Sequence, residues 1–153
     1  MKKEIAIVII VVIICTLLMA LVGVFIYFND ILSGNMTRSF RREIKQSTSV
    51  QLIETVAAYG KLNGNGNGMN YFGAALVTAD TAEDVDALVA ELEKKFDTVG
   101  STLQEGTQVN VSYLEHRALF FDEAAFQEDQ VYYCIYYYVH EHPYSNILDI
   151  RGY

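Results

Sequence analysis

Three sets of residues carry side chains whose type and spacing could do chemistry. The first is His140-Glu141-His142. In an extended chain, residues two apart point to the same side, so the two imidazoles would lie ~7 Å apart at the backbone, a workable pair for a transition metal. A third ligand is required, and His116, or Glu115 beside it, would supply one if its strand pairs with the strand that ends at His140. Two solvated histidines at a strand end are the plainer reading.

The second set is the run from Gln130 to His140. Alternation places Tyr132, Cys134, Tyr136, Tyr138, His140 and His142 on one side, and Val131, Tyr133, Ile135, Tyr137 and Val139 on the other. The second side reads as core facing the helices. The first is then an exposed tyrosine-rich face, with Tyr132, Tyr136 and Tyr138 as candidate partner-binding residues. Tyrosine supplies large contact area at low conformational-entropy cost. The alternative is that these rings simply cover a small sheet. Cys134 has no basic neighbour in sequence and reads as a packed thiol rather than a nucleophile. No Ser or Cys sits in a nucleophile elbow, and the carboxylates fall on helix surfaces or in loops, so no catalytic residue is assigned and a non-enzymatic protein is expected, with no cofactor.

The third set is Arg38, Arg41, Arg42 and Lys45, spaced i, i+3, i+4, i+7, opposite Phe40 and Ile44. Such a stripe suits a helix lying near anionic headgroups, and equally a solvated face.

These residues need elements to position them. The largest is the run from Ile5 to Phe28, 24 residues without a charge, which as a helix would span ~36 Å against a hydrocarbon core of ~30 Å. It is longer than the ~7–15 residues of a cleaved signal's apolar region and lacks a small-residue cleavage site. Cys15 follows Ile13-Ile14 rather than the small residue that lipidation needs. A retained transmembrane signal anchor with a short basic tail is therefore expected over 1–28. Lys2 and Lys3 favour a cytoplasmic N-terminus and an extracytoplasmic domain; Arg38, Arg41, Arg42 and Lys45 on the far side argue the other way.

Beyond a polar break at Asp30 to Asn35, helical spacing of Met36, Phe40, Ile44, Leu52, Val56 and Tyr59 predicts a juxtamembrane amphipathic helix within 29–60, closed by Gly60. Residues 61–69, with the repeat Asn63-Gly64-Asn65-Gly66-Asn67-Gly68, form a flexible loop. It precedes a strand and lacks the Gly-Lys-Ser/Thr ending of a phosphate loop, so no nucleotide is expected.

Residues 70–153 are expected to form a small α+β domain. Asn70 to Ala79 reads as a buried strand. Thr81 with Glu83-Asp84 opens a helix whose stripe is Val85, Leu88, Val89, Leu92 and Phe96, and Gly100 closes it. Thr107 to Leu114 alternates as a half-wet strand, with a parallel pairing to the first as one expectation. Ala118 to Phe121 reads as a short strand, Ala124 to Phe126 as a helical turn, and Asn146 to Ile150 as a last strand. The fold class is thus an N-terminal transmembrane helix, then an antiparallel or mixed sheet of about four strands with helices on one face.

Charge narrows the partners. The chain carries a net −8, and from Lys61 onward five basic residues face fifteen acidic ones. A surface that acidic repels phosphate backbones, which excludes nucleic acid. A lipid bilayer and another envelope protein remain. The expected function is a membrane-anchored, non-enzymatic interaction or accessory domain of the bacterial cell envelope. An apolar helix running into an amphipathic helix and an antiparallel sheet resembles the pilins in outline, which implies a structural subunit as one alternative. The N-terminus departs from the prepilin pattern, since Glu4 follows Lys2-Lys3 with no Gly. A metal-binding domain built on the histidines is the other alternative.

Overall fold

The computed structural model describes residues 2–27, 33–60, 62, 70–115 and 117–140. The chain forms two compact units, Met1–Gly34 and Asn35–Tyr153. The first is built on helix α1, Lys2–Ile26. Its segment Ile5–Val24 is long and apolar enough to cross a membrane and buries no face within the chain. A helix apolar all round has no polar face to present to water, as holds for a membrane span and for a signal sequence alike.

The second unit is α+β. Helix α2, Ser33–Lys45, is followed by strand β1, Val50–Gly60, strand β2, Asn70–Ala79, helix α3, Ala82–Leu92, strand β3, Val99–Leu103, and strand β4, Tyr133–Val139. The sheet order is β1-β2-β4-β3, with every neighbouring pair antiparallel. The connection through α3 leads from β2 to β3, and β4 fills the slot between them. The expected parallel pairing of the first strand with Thr107 to Leu114 is therefore overturned: the neighbour of β2 is the last described strand.

Two boundaries differ from the pattern-based expectation for physical reasons. The amphipathic helix stops at Lys45, not Tyr59. Ser47, Thr48 and Ser49 offer the backbone side-chain alternatives to helical hydrogen bonds, and Val50, Ile53, Thr55 and Val56 are β-branched, stiff at χ1 and suited to a pleated surface. The spacing of Leu52 and Val56 matched a helix by coincidence. A bulge between Leu52 and Glu54 switches the strand's facing, so that Leu52 packs with the helices and Val56 on the opposite side. Likewise Gly100 does not end a segment but lies inside β3, opposite Tyr136.

Helix α3 matches its signals. The Thr81 hydroxyl accepts from the Asp84 amide at 3.2 Å, Glu83 and Asp84 occupy the first turn, and Val85, Leu88 and Leu92 are buried. With Phe40 and Ile44 of α2 these residues cover one face of the sheet, over Tyr71, Ala75, Val77, Ile135 and Tyr137. Both helices lie on this face, as expected.

The opposite face is not wet. It carries a second buried cluster, in which Phe72, Leu76, Cys134 and Tyr138 of the sheet meet Val109, Phe121 and Tyr132. The cover comes from the long connection between β3 and β4, which is largely irregular. Thr107 to Leu114 is not a strand; a single antiparallel bridge joins Gln108 to Phe120, with Val109 N–H bonded to the Leu119 carbonyl at 3.0 Å and Phe121 N–H to that of Thr107 at 2.9 Å. The expected helical turn is a 3-10 turn at Glu123–Ala125, capped by Asp122. The buried Gln104 amide braces the start of the connection, donating to the carbonyls of Gly106 at 2.8 Å and Gln108 at 2.7 Å. The Asn/Gly repeat at 63–68 and the expected strand Asn146 to Ile150 lie outside the described residues.

Candidate interaction surfaces

Of the three tyrosines singled out for partner binding, two are buried. Tyr138 is 1% exposed and stacks on Tyr113 at 4.3 Å between ring centroids, with 13° between planes. Tyr132 accepts from the Gln127 amide at 2.8 Å and donates to the Ala125 carbonyl at 3.2 Å, pinning the 3-10 turn. Tyr136 is half-buried, stacked on Phe72 at 5.8 Å. The exposed tyrosine face is therefore corrected: these rings are the floor of a second core. Burial, with Tyr113 and Cys134 close by, raises the ionisation of Tyr136 above the ordinary phenol range. Burial pushes the Cys134 thiol up to about 12, which suppresses the thiolate and makes it the packed group that its sequence context implies.

The other side of β4 differs as well. Ile135 and Tyr137 are buried as expected, but Val131, just before β4, is exposed. Tyr137 lies among Phe40 at 4.6 Å, Phe96 at 5.1 Å and Tyr71 at 5.2 Å. Its hydroxyl is buried without a well-aligned partner, while that of Tyr71 bonds Thr37 of α2. Burial, reinforced by the neighbouring Tyr71, raises the ionisation of Tyr137 strongly.

The histidine set is not assembled within the described residues. His140 is exposed just past β4, its ring 5.7 Å from that of Tyr138, and its carbonyl accepts from the buried Asn70 side chain. His116 and His142 lie outside the described residues, among which no group of three or more His, Cys, Asp or Glu side chains gathers as metal ligands would.

The basic set is assembled. Arg38, Arg41, Arg42 and Lys45 are all exposed, while Phe40 and Ile44 on the opposite side of α2 are fully buried in the domain's own core. The acid within the same helix, Glu43, is occupied by Lys95 at 2.5 Å and Arg42 at 3.7 Å. The Lys95 hydrogen bond holds its carboxyl below the usual range. The helix thus shows solvent an uninterrupted cationic face.

One surface was missed from sequence. Leu103 is 58% exposed and Val131 51% exposed. Leu103 pairs with Tyr133, and Gln104 N–H bonds the Tyr132 carbonyl at 2.9 Å, so Leu103 and Val131 lie at the same end of the β3–β4 ladder. Among the described residues β3 is an edge strand, so Leu103 sits beside main-chain groups that have no described strand on their outer side. The alternation of Val99, Ser101 and Leu103 was a usable signal, masked by reading Gly100 as a terminator. Comparison with protein-family models, with curated proteins and with solved structures finds no match.

Proposed function

We propose that the chain is a single-pass, membrane-anchored accessory domain of the bacterial cell envelope, exposed on the extracytoplasmic side, and that it acts by binding another envelope protein rather than by catalysis. The observation that carries this reading is the exposed Leu103 and Val131 pair beside the β3 edge. An extended segment of a partner adds to such an edge through main-chain hydrogen bonds, and an apolar pocket alongside selects its side chains. Lys2 and Lys3 directly before the apolar run support a cytoplasmic N-terminus. A photoreactive residue at Leu103 in the full chain, in its native membrane, is expected to capture one reproducible protein, and the same group at exposed Gln127 is not. Equal capture from both positions removes the edge from consideration. Protease treatment of intact, wall-stripped cells is expected to digest the domain; full protection reverses the orientation.

A further inference from the structure

The charge distribution of the second unit is strongly polar. Four cations line one face of α2, whereas exposed acids of the connection between β3 and β4, among them Asp122, Glu123, Glu128 and Asp129, lie on the far side of the sheet; the exposed acids of α3 share the face of α2. An anionic surface attracts the first region and repels the second. The apolar residues of α2 are not available to that surface, since Phe40 and Ile44 are consumed by the domain core, with Phe40 packed edge-on against Phe96 at 5.5 Å and tilted on Tyr137 at 4.6 Å. Contact through this face is therefore electrostatic and non-inserting, unlike that of an amphipathic helix that buries its apolar side in lipid. Six residues, 27–32, lie between α1 and α2 in the chain.

We propose that the outward face of α2, formed by Arg38, Arg41, Arg42 and Lys45, seats on the phosphodiester headgroups of anionic lipids and fixes which way up the domain sits, leaving the β3 edge free for a protein. The proposal rests on the reading that α1 spans the bilayer. Within a Debye length of an anionic leaflet each such cation changes the ratio of docked to undocked domain by about fivefold, and salt screens the effect. The anchor is the same in every lipid, so the difference between lipids isolates the stripe.

The test uses the full chain in nanodiscs of phosphatidylcholine alone or enriched in phosphatidylglycerol. A fluorophore is placed at Gln46→Cys, beside the stripe, or at Glu128→Cys, on the opposite side of the sheet, in a Cys15→Ser background. Energy transfer to headgroup acceptors is expected to rise at Gln46 in the anionic discs and to fall back as salt is added, with a smaller change at Glu128. Charge reversal of all four residues is expected to abolish the rise, and Arg38→Lys, Arg41→Lys and Arg42→Lys together to retain it; unchanged far-ultraviolet dichroism confirms that the reversed protein is folded. Equal transfer in the two lipids, or a rise that survives charge reversal, overturns the proposal. Release of the chain from membranes by an alkaline wash overturns instead the spanning reading beneath it.

Discussion

The two faces of the sheet bury comparable aromatic side chains under unlike covers. One is roofed by α2 and α3, whose apolar stripes read directly from 3.6-residue spacing. The other is roofed by an irregular connection held through particular side chains: Tyr132 on the 3-10 turn, Gln104 on the opening loop, the Glu54 carboxylate accepting from the Asp122 amide at 2.9 Å, and Arg117 donating to the Tyr59 carbonyl at 3.2 Å. Each face also lays a tyrosine of β4 over a glycine of the neighbouring strand, Tyr137 over Gly73 and Tyr136 over Gly100. A regular cover advertises itself by periodicity. An irregular one is held by individual hydrogen bonds and leaves no period to find.

Removal of one ring from each side is expected to have the largest effect. Tyr137→Ala and Tyr138→Ala, both 1% exposed, are each expected to cost about 3–5 kcal/mol in chemical denaturation of the detergent-solubilised chain. A cost for Tyr138→Ala below about 0.5 kcal/mol, typical of a surface site, would mean that the irregular roof is not a core. The glycines come next. A Cβ at Gly73 would lie 2.6 Å from the Tyr137 ring in the packed helical core, so Gly73→Ala is expected to lose about 1–3 kcal/mol. At Gly100 the obstruction is the hydroxyl end of half-buried Tyr136, with Oη at 2.5 Å and Cζ at 2.7 Å, the far end of a side chain rather than the edge of a fully buried ring. Gly100→Ala is expected to cost less than Gly73→Ala in the same assay.

Alkaline pH separates the faces further. The Cys134 thiol has its ordinary value of 9.0 when unfolded and is raised to about 12 when folded, so the unfolded chain loses that proton first. Stability is fully present below pH 9 and is lost as pH rises through the window from 9 toward 12, at no more than ~1.4 kcal/mol per pH unit for one group. Cys134→Ala is expected to delay the onset to about pH 10, the ordinary value of the phenols, where the raised ionisations of Tyr71 and Tyr137 on the helical face and of Tyr136 on the other take over. Thermal midpoints measured across this range check it; an unchanged onset in the variant would assign the effect elsewhere. The smallest expected effects have opposite signs. Tyr132→Phe deletes the hydroxyl that joins Gln127 to Ala125 and is expected to lose about 1 kcal/mol. Tyr137→Phe removes a buried hydroxyl that lacks a well-aligned partner and is expected to be neutral or to gain up to about 1 kcal/mol.

How much was legible follows from the range of the forces involved. The bounds of β2, Asn70 to Ala79, and the cap of α3 at Thr81 were readable because each depends on residues a few positions apart. The stripe on α2 was readable for the same reason, and its exposure agrees with its spacing. The misreading of 46–59 as helix came from apolar spacing that a bulged strand reproduces. The misreading of β4 had a signal against it: Tyr71 to Val77 runs apolar with no polar residue in alternation, as in a strand covered on both faces, and β2 is indeed buried from Asn70 to Val77.

By itself, then, the sequence determined the long apolar helix, the α+β class, the placing of both helices on one face and the cationic face of α2, since all of these are encoded in local periodicity and composition. Only the tertiary structure decided that Tyr132 and Tyr138 are core rather than surface, that β4 lies between β2 and β3, and that Leu103 and Val131 are left uncovered. Those outcomes depend on which distant segment reaches which face, and the connection that roofs the second core carries no repeat from which its destination can be read.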